Sequence, residues 1–200
     1  MRILIIGGKG TIGRRVGDFL SKKHEIVIGG RKSGDVFVDI AKSDSIETMF
    51  ESVGKIDAVV CAAGEAKWAP FDSMSEEDFH IGVRSKLMGQ VNLVRVGRSF
   101  LNEGGSFTLT TGILAEHPVL QTTSAAMVNG GIHGFVKAAS LELPDGIRIN
   151  VVSPGLVEDS AEKYGEYFPG HTPVPMKKVI DGYVQSIEGN ATGEIIRIYS

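Results

Sequence analysis

The feature that most constrains this chain is an alternation between two hydrophobic periods. Short apolar runs at Ile3–Ile6, Glu25–Ile28, Val36–Val38, Ile56–Val60, Phe107–Thr110, Ile147–Val152 and Ile195–Ile198 read as strands. Between them lie segments of helical period at Ile12–Lys22, Ser45–Val53, Glu76–Leu101, Thr123–Leu143 and Met176–Ile187. Several strands are apolar at consecutive positions, which requires cover on both faces, the condition of parallel strands between helices. With right-handed crossovers the pattern predicts an α/β chain, a doubly wound parallel sheet in one domain over residues 1–200. Ser73-Met-Ser-Glu76 has capping-box spacing at the head of the longest helix, and Phe79, Val83, Leu87 and Val91 form one stripe along it. Gly82, Gly89 and Gly97 weaken that helix, so a kink or break is expected there. The one long irregular segment, Glu158–Pro175, carries Tyr164, Tyr167, Phe168 and three prolines, and has the length of a lid or binding loop.

Composition narrows the function classes. Lys and Arg number 21 against 24 Asp and Glu, a net charge of −3, and no concentrated basic face accompanies them, so nucleic acid is not an expected partner. A single cysteine, Cys61, excludes an intrachain disulfide framework and a cysteine metal site, and points to the reducing cytoplasm. No apolar stretch has the length of a signal peptide core or a membrane helix, so no membrane association is expected. The histidines His24, His80, His117, His133 and His171 show no ligand spacing, and no metal is assigned. Glycine is abundant, 26 of 200 residues, without a G-X-Y period; it marks tight turns and close backbone approaches.

The most informative glycines follow the first strand: Gly7-Gly8-Lys9-Gly10-Thr11-Ile12-Gly13 leads directly into a helix. Glycines at such spacing permit a tight bend, leave room for a pyrophosphate and let the helix pack on the strand. The helix N-terminus then offers free N–H groups and partial positive charge to phosphates. An NAD site ordinarily places a carboxylate about 20 residues on, to accept from the adenine-ribose 2′-hydroxyl. Here the second strand ends Ile28-Gly29-Gly30-Arg31-Lys32, with no acid at its tip. The planar guanidinium of Arg31, aided by Lys9, is suited to a 2′-phosphate, so the residues favour NADP(H) over NAD(H).

With Gly7–Gly13, Gly30-Arg31, Ala62-Ala63-Gly64, Arg148-Ile-Asn150 and Ser153-Pro154-Gly155 in this order, the sequence resembles the short-chain dehydrogenase/reductase family over essentially its whole length. The resemblance implies a three-layer Rossmann-like domain of about seven strands in the order 3-2-1-4-5-6-7, with a dinucleotide across the strand ends. It also implies homodimers or homotetramers built on the two long helices, and a small-molecule substrate. By the same likeness Asp39 lies near the adenine, Ala62, Ala63 and Gly64 beside the adenine ribose, and Pro154, Gly155 and Val157 along the nicotinamide.

The family's chemistry is where the chain departs. Its members carry a Tyr-x-x-x-Lys pair, because hydride transfer to a carbonyl needs a proton from an acid of tuned pKa, and an adjacent ammonium lowers that of a phenol. Aligned on Gly134-Phe135, Ala125 stands at the Tyr position and Asn129 at the Lys position. Lys86 stands where the family has Asn on the preceding helix, so Lys and Asn look exchanged. Lys86 is then expected to hold the nicotinamide-ribose hydroxyls and Thr111 the substrate oxygen, with Asn129 completing the catalytic set. The acid stays open among Ser124, Tyr164, Tyr167 and a water bound by Lys86. Trp68 is a candidate wall and His117 a candidate contact of the substrate cleft. Two functions compete: an NADP(H)-dependent oxidoreductase acting on a small carbonyl or alcohol, and an NADP(H)-binding sensor or regulatory protein with impaired chemistry. A nucleotide-free scaffold is disfavoured by the glycine turn, Lys9 and Arg31 occurring together.

Overall fold

The computed structural model describes residues 1–199. Seven parallel strands form one sheet in the order β3-β2-β1-β4-β5-β6-β7: β1 Arg2–Ile6, β2 Glu25–Gly30, β3 Val36–Phe37, β4 Ile56–Cys61, β5 Leu101–Thr110, β6 Arg148–Pro154 and β7 Ile195–Ile198. The helices are α1 Thr11–Leu20, α2 Ser43–Val53, α3 Glu76–Gly82, α4 Met88–Gly97, α5 Thr123–Ala139, the short α6 Ala161–Tyr164 and α7 Met176–Glu188. Alternate residues of each strand enter opposite cores. Leu4, Ile6, Val59 and Cys61 pack on one face, with residues of α2, α4 and α5; Ile3, Ile5, Ala58 and Val60 pack on the other, with those of α1 and α7. This two-sided burial is the physical reason the strands read as unbroken apolar runs. Among the described residues, no helix is long and apolar enough to cross a membrane.

Three expectations need correction. The segment from Glu76 is interrupted, as its glycines predict, running through α3, a π-helical turn at Val83–Leu87, and α4, but it stops at Gly97 rather than reaching Leu101, where β5 begins. Its cap is Ser75 rather than Ser73. The Ser75 hydroxyl accepts from the Asp78 N–H at 3.2 Å while the Asp78 carboxylate accepts from the Ser75 N–H at 3.0 Å, a complete reciprocal cap two residues beyond the expected one. The helix expected to reach Leu143 ends at Ala139.

Several polar side chains tie the sheet to its neighbours. Gln90 of α4 lies against the end of β5, donating to the Thr110 carbonyl at 3.0 Å and accepting from the Thr110 N–H at 2.9 Å. On the other face the Tyr183 hydroxyl of α7 lies 2.6 Å from that of Thr110. Thr110 is therefore fixed from both layers, and with it the next residue, Thr111. Arg148 donates to the Ser186 and Ile187 carbonyls at 2.7 and 2.8 Å, placing a cation at the C-terminal end of α7 where the helix dipole favours it. Asn150 holds the approach to β7 through Ala191 and the Glu194 N–H. The Arg148-Ile-Asn150 motif is thus a fastening for the last helix and strand.

Candidate active site: a cleft across the strand ends

The chain leaves β1 toward β2 on one side and returns to β4 on the other, so the direction of winding reverses between β1 and β4. At such a reversal the loops diverge and leave a crevice at the carboxyl ends of the strands. Gly7 closes β1 there with φ +81°, its N–H donating to the Gly29 carbonyl at 2.9 Å and its carbonyl accepting from the Gly10 N–H at 2.9 Å. A methyl at Gly7 would come within 2.7 Å of the Ala62 carbonyl oxygen, and one at Gly13 would be driven into the Gly7 carbonyl. The turn accordingly depends on bare backbone at both ends. Gly10 starts α1 without a side-chain cap, and the first turn of α1 holds no acid. Its N–H groups thus keep their partial positive charge toward the crevice.

Two cavities meet at Gly64. The first, about 230 Å³, is lined by Gly7, Gly30, Arg31, Asp39, Ala63 and Glu65, among others. The second, about 260 Å³, takes in Ile12, Lys86, Thr111, Asn129, Pro154, Gly155 and Val157, under a wall of Trp68, Tyr164 and Phe168. The structure therefore brings Gly7, Arg31, Asp39, Ala63 and Gly64 to one end of the crevice, and Ile12, Pro154, Gly155, Val157 and all three expected catalytic residues to the other. Gly10, Thr11 and Gly13 stand at the head of α1 between them, and Ala62 supports Gly7 from behind. Lys9 is exposed in the turn and lines neither cavity.

At the Arg31 end the tertiary structure supplies the acid that the strand tip lacks. Glu65, just beyond β4, faces Arg31 at 3.6 Å across an exposed gap. At the other end Lys86 sits in the π-helical turn, its backbone pressed closely by Gly64, which has φ +116°. Burial holds the Lys86 ammonium below the usual lysine range, opposed by the nearby Cys61 thiol. Among the described residues its ammonium has no hydrogen-bond or ion-pair partner. Asn129 and Ser124 of α5 are buried, and Asn129 Oδ1 and Ser124 Oγ have no partner among the described residues. An acceptor buried without a partner is costly, so Asn129 Oδ1 fits a donor delivered from the cleft. Ala125 also lines this cavity.

The Thr111 hydroxyl has a partner that sequence reading missed. His133 Nε2 lies 2.9 Å away, and His133 Nδ1 faces Glu116 Oε1 at 3.8 Å. Glu116 is in turn held by Arg197, whose Nε reaches both carboxylate oxygens at 2.9 Å. The available signal was spacing: His133 follows Asn129 by four residues and so shares its helical face. His117 is a correction. Its ring packs edge-on to Tyr199 at 5.8 Å and is not among the residues lining the cleft.

The segment over the cleft is folded, not irregular. Val157 bridges Val174, the Glu158 N–H donates to the Val174 carbonyl, and the Glu158 carboxylate accepts from the Met176 N–H at 2.8 Å, so both ends are pinned. Asp159 pairs with Arg15 of α1 at 2.8 Å, latching the segment across the crevice. Tyr164, Tyr167 and Phe168 gather on Trp68 with ring centroids 5.7, 5.7 and 6.4 Å away. Tyr164 and Phe168 face the cavity; Tyr167 lies on the outer side.

Comparison with known proteins agrees with this geometry. Residues 21–175 match the family described as enoyl-(acyl carrier protein) reductase. An uncharacterized oxidoreductase of Schizosaccharomyces pombe is 29% identical over 189 residues, 86% of this chain and 72% of its own. The glucose and ribitol dehydrogenase homolog 2 of Arabidopsis thaliana is 26% identical, and this chain spans only 52% of its length. Among solved structures, the protein lin1944 from Listeria innocua is 48% identical with a TM-score of 0.98, both chains covered in full. A small-chain dehydrogenase in complex with NADPH is 26% identical with a TM-score of 0.88, covering 99% of this chain and 96% of that one. The reversal-point crevice, the glycine turn and these matches together establish that the chain belongs to the short-chain dehydrogenase/reductase family of oxidoreductases.

Proposed function

We propose that this protein is an NADP(H)-dependent oxidoreductase that interconverts a small carbonyl and its alcohol. The observation that carries the reading is a single crevice with Arg31 at one end, the uncapped head of α1 in the middle, and Lys86, Thr111 and Asn129 together at the other. Those residues fit a dinucleotide. Bare N–H groups suit the pyrophosphate, Arg31 suits a 2′-phosphate, and the unpartnered Asn129 Oδ1 and Lys86 ammonium suit ribose hydroxyls. When bound, the nicotinamide supplies hydride exchange at carbon. The chain's residues do the rest. Lys86 orients the ribose, Thr111 holds the substrate oxygen, and the lid over residues 158–175 limits water entry. The NADPH carried by one solved relative supports the choice of cofactor.

The cleft wall also narrows the substrate. Trp68, Ile113, Leu114, Leu156, Tyr164 and Phe168 line it, and Lys86 is its one charged group among the described lining residues. An uncharged, mainly apolar or aromatic carbonyl compound matches that wall.

Calorimetry tests the first half: NADPH binds more tightly than NADH, and Arg31→Ala removes most of the difference. Equal affinities, or none, would remove the reading. Turnover of a panel of apolar ketones and aldehydes tests the second half. A second reading, an NADP(H)-binding sensor, is favoured by Ala125, which presents a methyl to the cleft where the family has its acid. Tight NADPH binding without turnover of any panel member would select the sensor.

A further inference from the structure

The family's phenolic acid is missing, yet a proton must still enter or leave the substrate oxygen. Of the candidate hydroxyls, Ser124 Oγ is buried with no partner among the described residues from which to recover a proton. Tyr164 lines the cleft, with Lys163, which lies outside the cleft lining, stacked over the face of its ring at 4.8 Å. Among the described residues lining the cavity, Thr111 is the hydroxyl joined to an imidazole, that of His133. Resting on the oxidoreductase reading above, we infer that Thr111, His133 and Glu116 form a proton relay that replaces the absent tyrosine, running from the cleft beneath α5 to the molecular surface.

The geometry sets the direction of each hydrogen bond. The charged groups facing His133 are Glu116 from the loop after β5, Arg197 from β7 and Lys137 from its own helix, with Tyr199 beside the Glu116 carboxylate. Glu116 is held ionised by the Arg197 fork, which keeps its carboxyl below the usual range. A carboxylate at 3.8 Å favours the tautomer with its proton on Nδ1, leaving Nε2 to accept from the Thr111 hydroxyl at 2.9 Å. Burial holds the imidazole below its ordinary pKa of 6.5, so His133 is neutral at pH 7 and able to accept.

In alcohol oxidation the substrate hydroxyl passes its proton to Thr111 Oγ1 as Thr111 passes its own to His133 Nε2, and the carbon-bound hydrogen leaves as hydride to the oxidised nicotinamide dinucleotide. One C–O double bond forms, and one C–H and one O–H bond break. The imidazolium, stabilised by the Glu116 carboxylate 3.8 Å away, then releases one proton to solvent at the partly exposed Glu116 edge and returns to the Nδ1–H tautomer, ready to accept from Thr111 again. Carbonyl reduction runs the same transfers backwards and starts from protonated His133. Thr111 is the catalytic residue; His133 and Glu116 act through it as relay and positioning residues.

The test combines His133→Gln, Glu116→Gln, Thr111→Val and Thr111→Ser, with folding checked by circular dichroism and NADPH binding by calorimetry. Wild-type carbonyl reduction is expected to show a limb that falls with rising pH; His133→Gln removes this limb and slows turnover roughly 100-fold, with NADPH affinity within twofold. Thr111→Val does likewise and Thr111→Ser restores most of the rate. Independently of turnover, nitrogen-15 NMR of the cofactor-free protein should show the His133 Nε2 resonance moving in Thr111→Val, and its pKa falling further in Glu116→Gln. A retained pH limb in His133→Gln, turnover within threefold of wild type, or an unmoved Nε2 resonance overturns the relay while leaving the oxidoreductase reading intact. Loss of the rate in Tyr164→Phe with the limb kept in His133→Gln would transfer the role to Tyr164. Absent NADPH binding, or binding without turnover in the wild type, overturns both.

Discussion

Arg31 shows how a single contact qualifies a cofactor preference. Its guanidinium faces Glu65 at 3.6 Å, so a 2′-phosphate must take the place of a carboxylate there. The pair is exposed, and such a bridge is worth about 0–1 kcal/mol. Glu65→Gln should therefore tighten NADPH binding two- to fivefold and leave NADH nearly unchanged, as read by calorimetry; an equal change for both would show that Arg31 does not meet the extra phosphate. Lys86 carries the opposite kind of cost, a partly desolvated ammonium with no ion-pair partner among the described residues. Lys86→Met should raise stability modestly in urea unfolding, since a half-buried cation without an ion-pair partner among the described residues is replaced by an apolar chain of similar length. The same variant should weaken dinucleotide binding and suppress turnover. Stability gained where function is lost is the pattern expected of a group kept for its chemistry.

At the scale of elements, the π-helical turn between α3 and α4 is the decisive departure from regularity. An extra residue in one turn re-aims the side chains after it, and such turns recur at functional sites. Here the turn presents Lys86 to the cleft and accepts the close approach of Gly64. The β1–α1 turn is as constrained. Gly13→Ala would place a methyl against the Gly7 carbonyl, so the turn must open. A stability loss of about 1–3 kcal/mol and at least tenfold weaker NADPH binding are expected, measured by denaturant titration and calorimetry. The lid is held by Trp68 at its centre and by the Arg15–Asp159 latch at its edge. Trp68→Ala should raise KM for apolar carbonyls several-fold with dinucleotide affinity unchanged, because the wall it supports belongs to the second cavity alone.

Across the whole molecule the His133–Glu116–Arg197 cluster joins α5, the loop after β5, and β7, so its titration reaches overall stability. His133 binds a proton less readily folded than unfolded; stability therefore falls as pH drops from about 6.5 toward its folded value. Glu116 has its carboxyl lowered from 4.5, so its contribution is present above that pH and is lost as pH falls further. Both act in the same direction. Thermal unfolding should show Tm declining steadily below pH 6.5, and His133→Gln should flatten the upper part of that decline. The outer face of α5 bears Met127, 45% exposed, with Gly130 and Gly134 along the same stripe and no atoms packed on either, and Met88 of α4 is 41% exposed. This face is expected to pair with a second copy, and Gly134→Glu to shift the sedimentation coefficient to that of a monomer.

The alternation of period pointed to the sheet, since doubly apolar strands interleaved with helices are covered on both faces when the helices flank them. The glycine spacing after β1 likewise announced a turn whose backbone must be bare. Helix limits near Gly97 and Ala139, the cap at Ser75 and the π-helical turn depended on competition between neighbouring hydrogen bonds, which no local pattern encodes. The resemblance to the family's motif drew attention to Lys86, Thr111 and Asn129, but not to what stands behind them. Glu65 reaches Arg31 from 34 positions away and His133 reaches Thr111 from 22, because parallel strands deliver distant residues to one edge. Which charge confronts which, and therefore which proton can move, is set by proximity in space; the chain order states only which groups exist to be brought together.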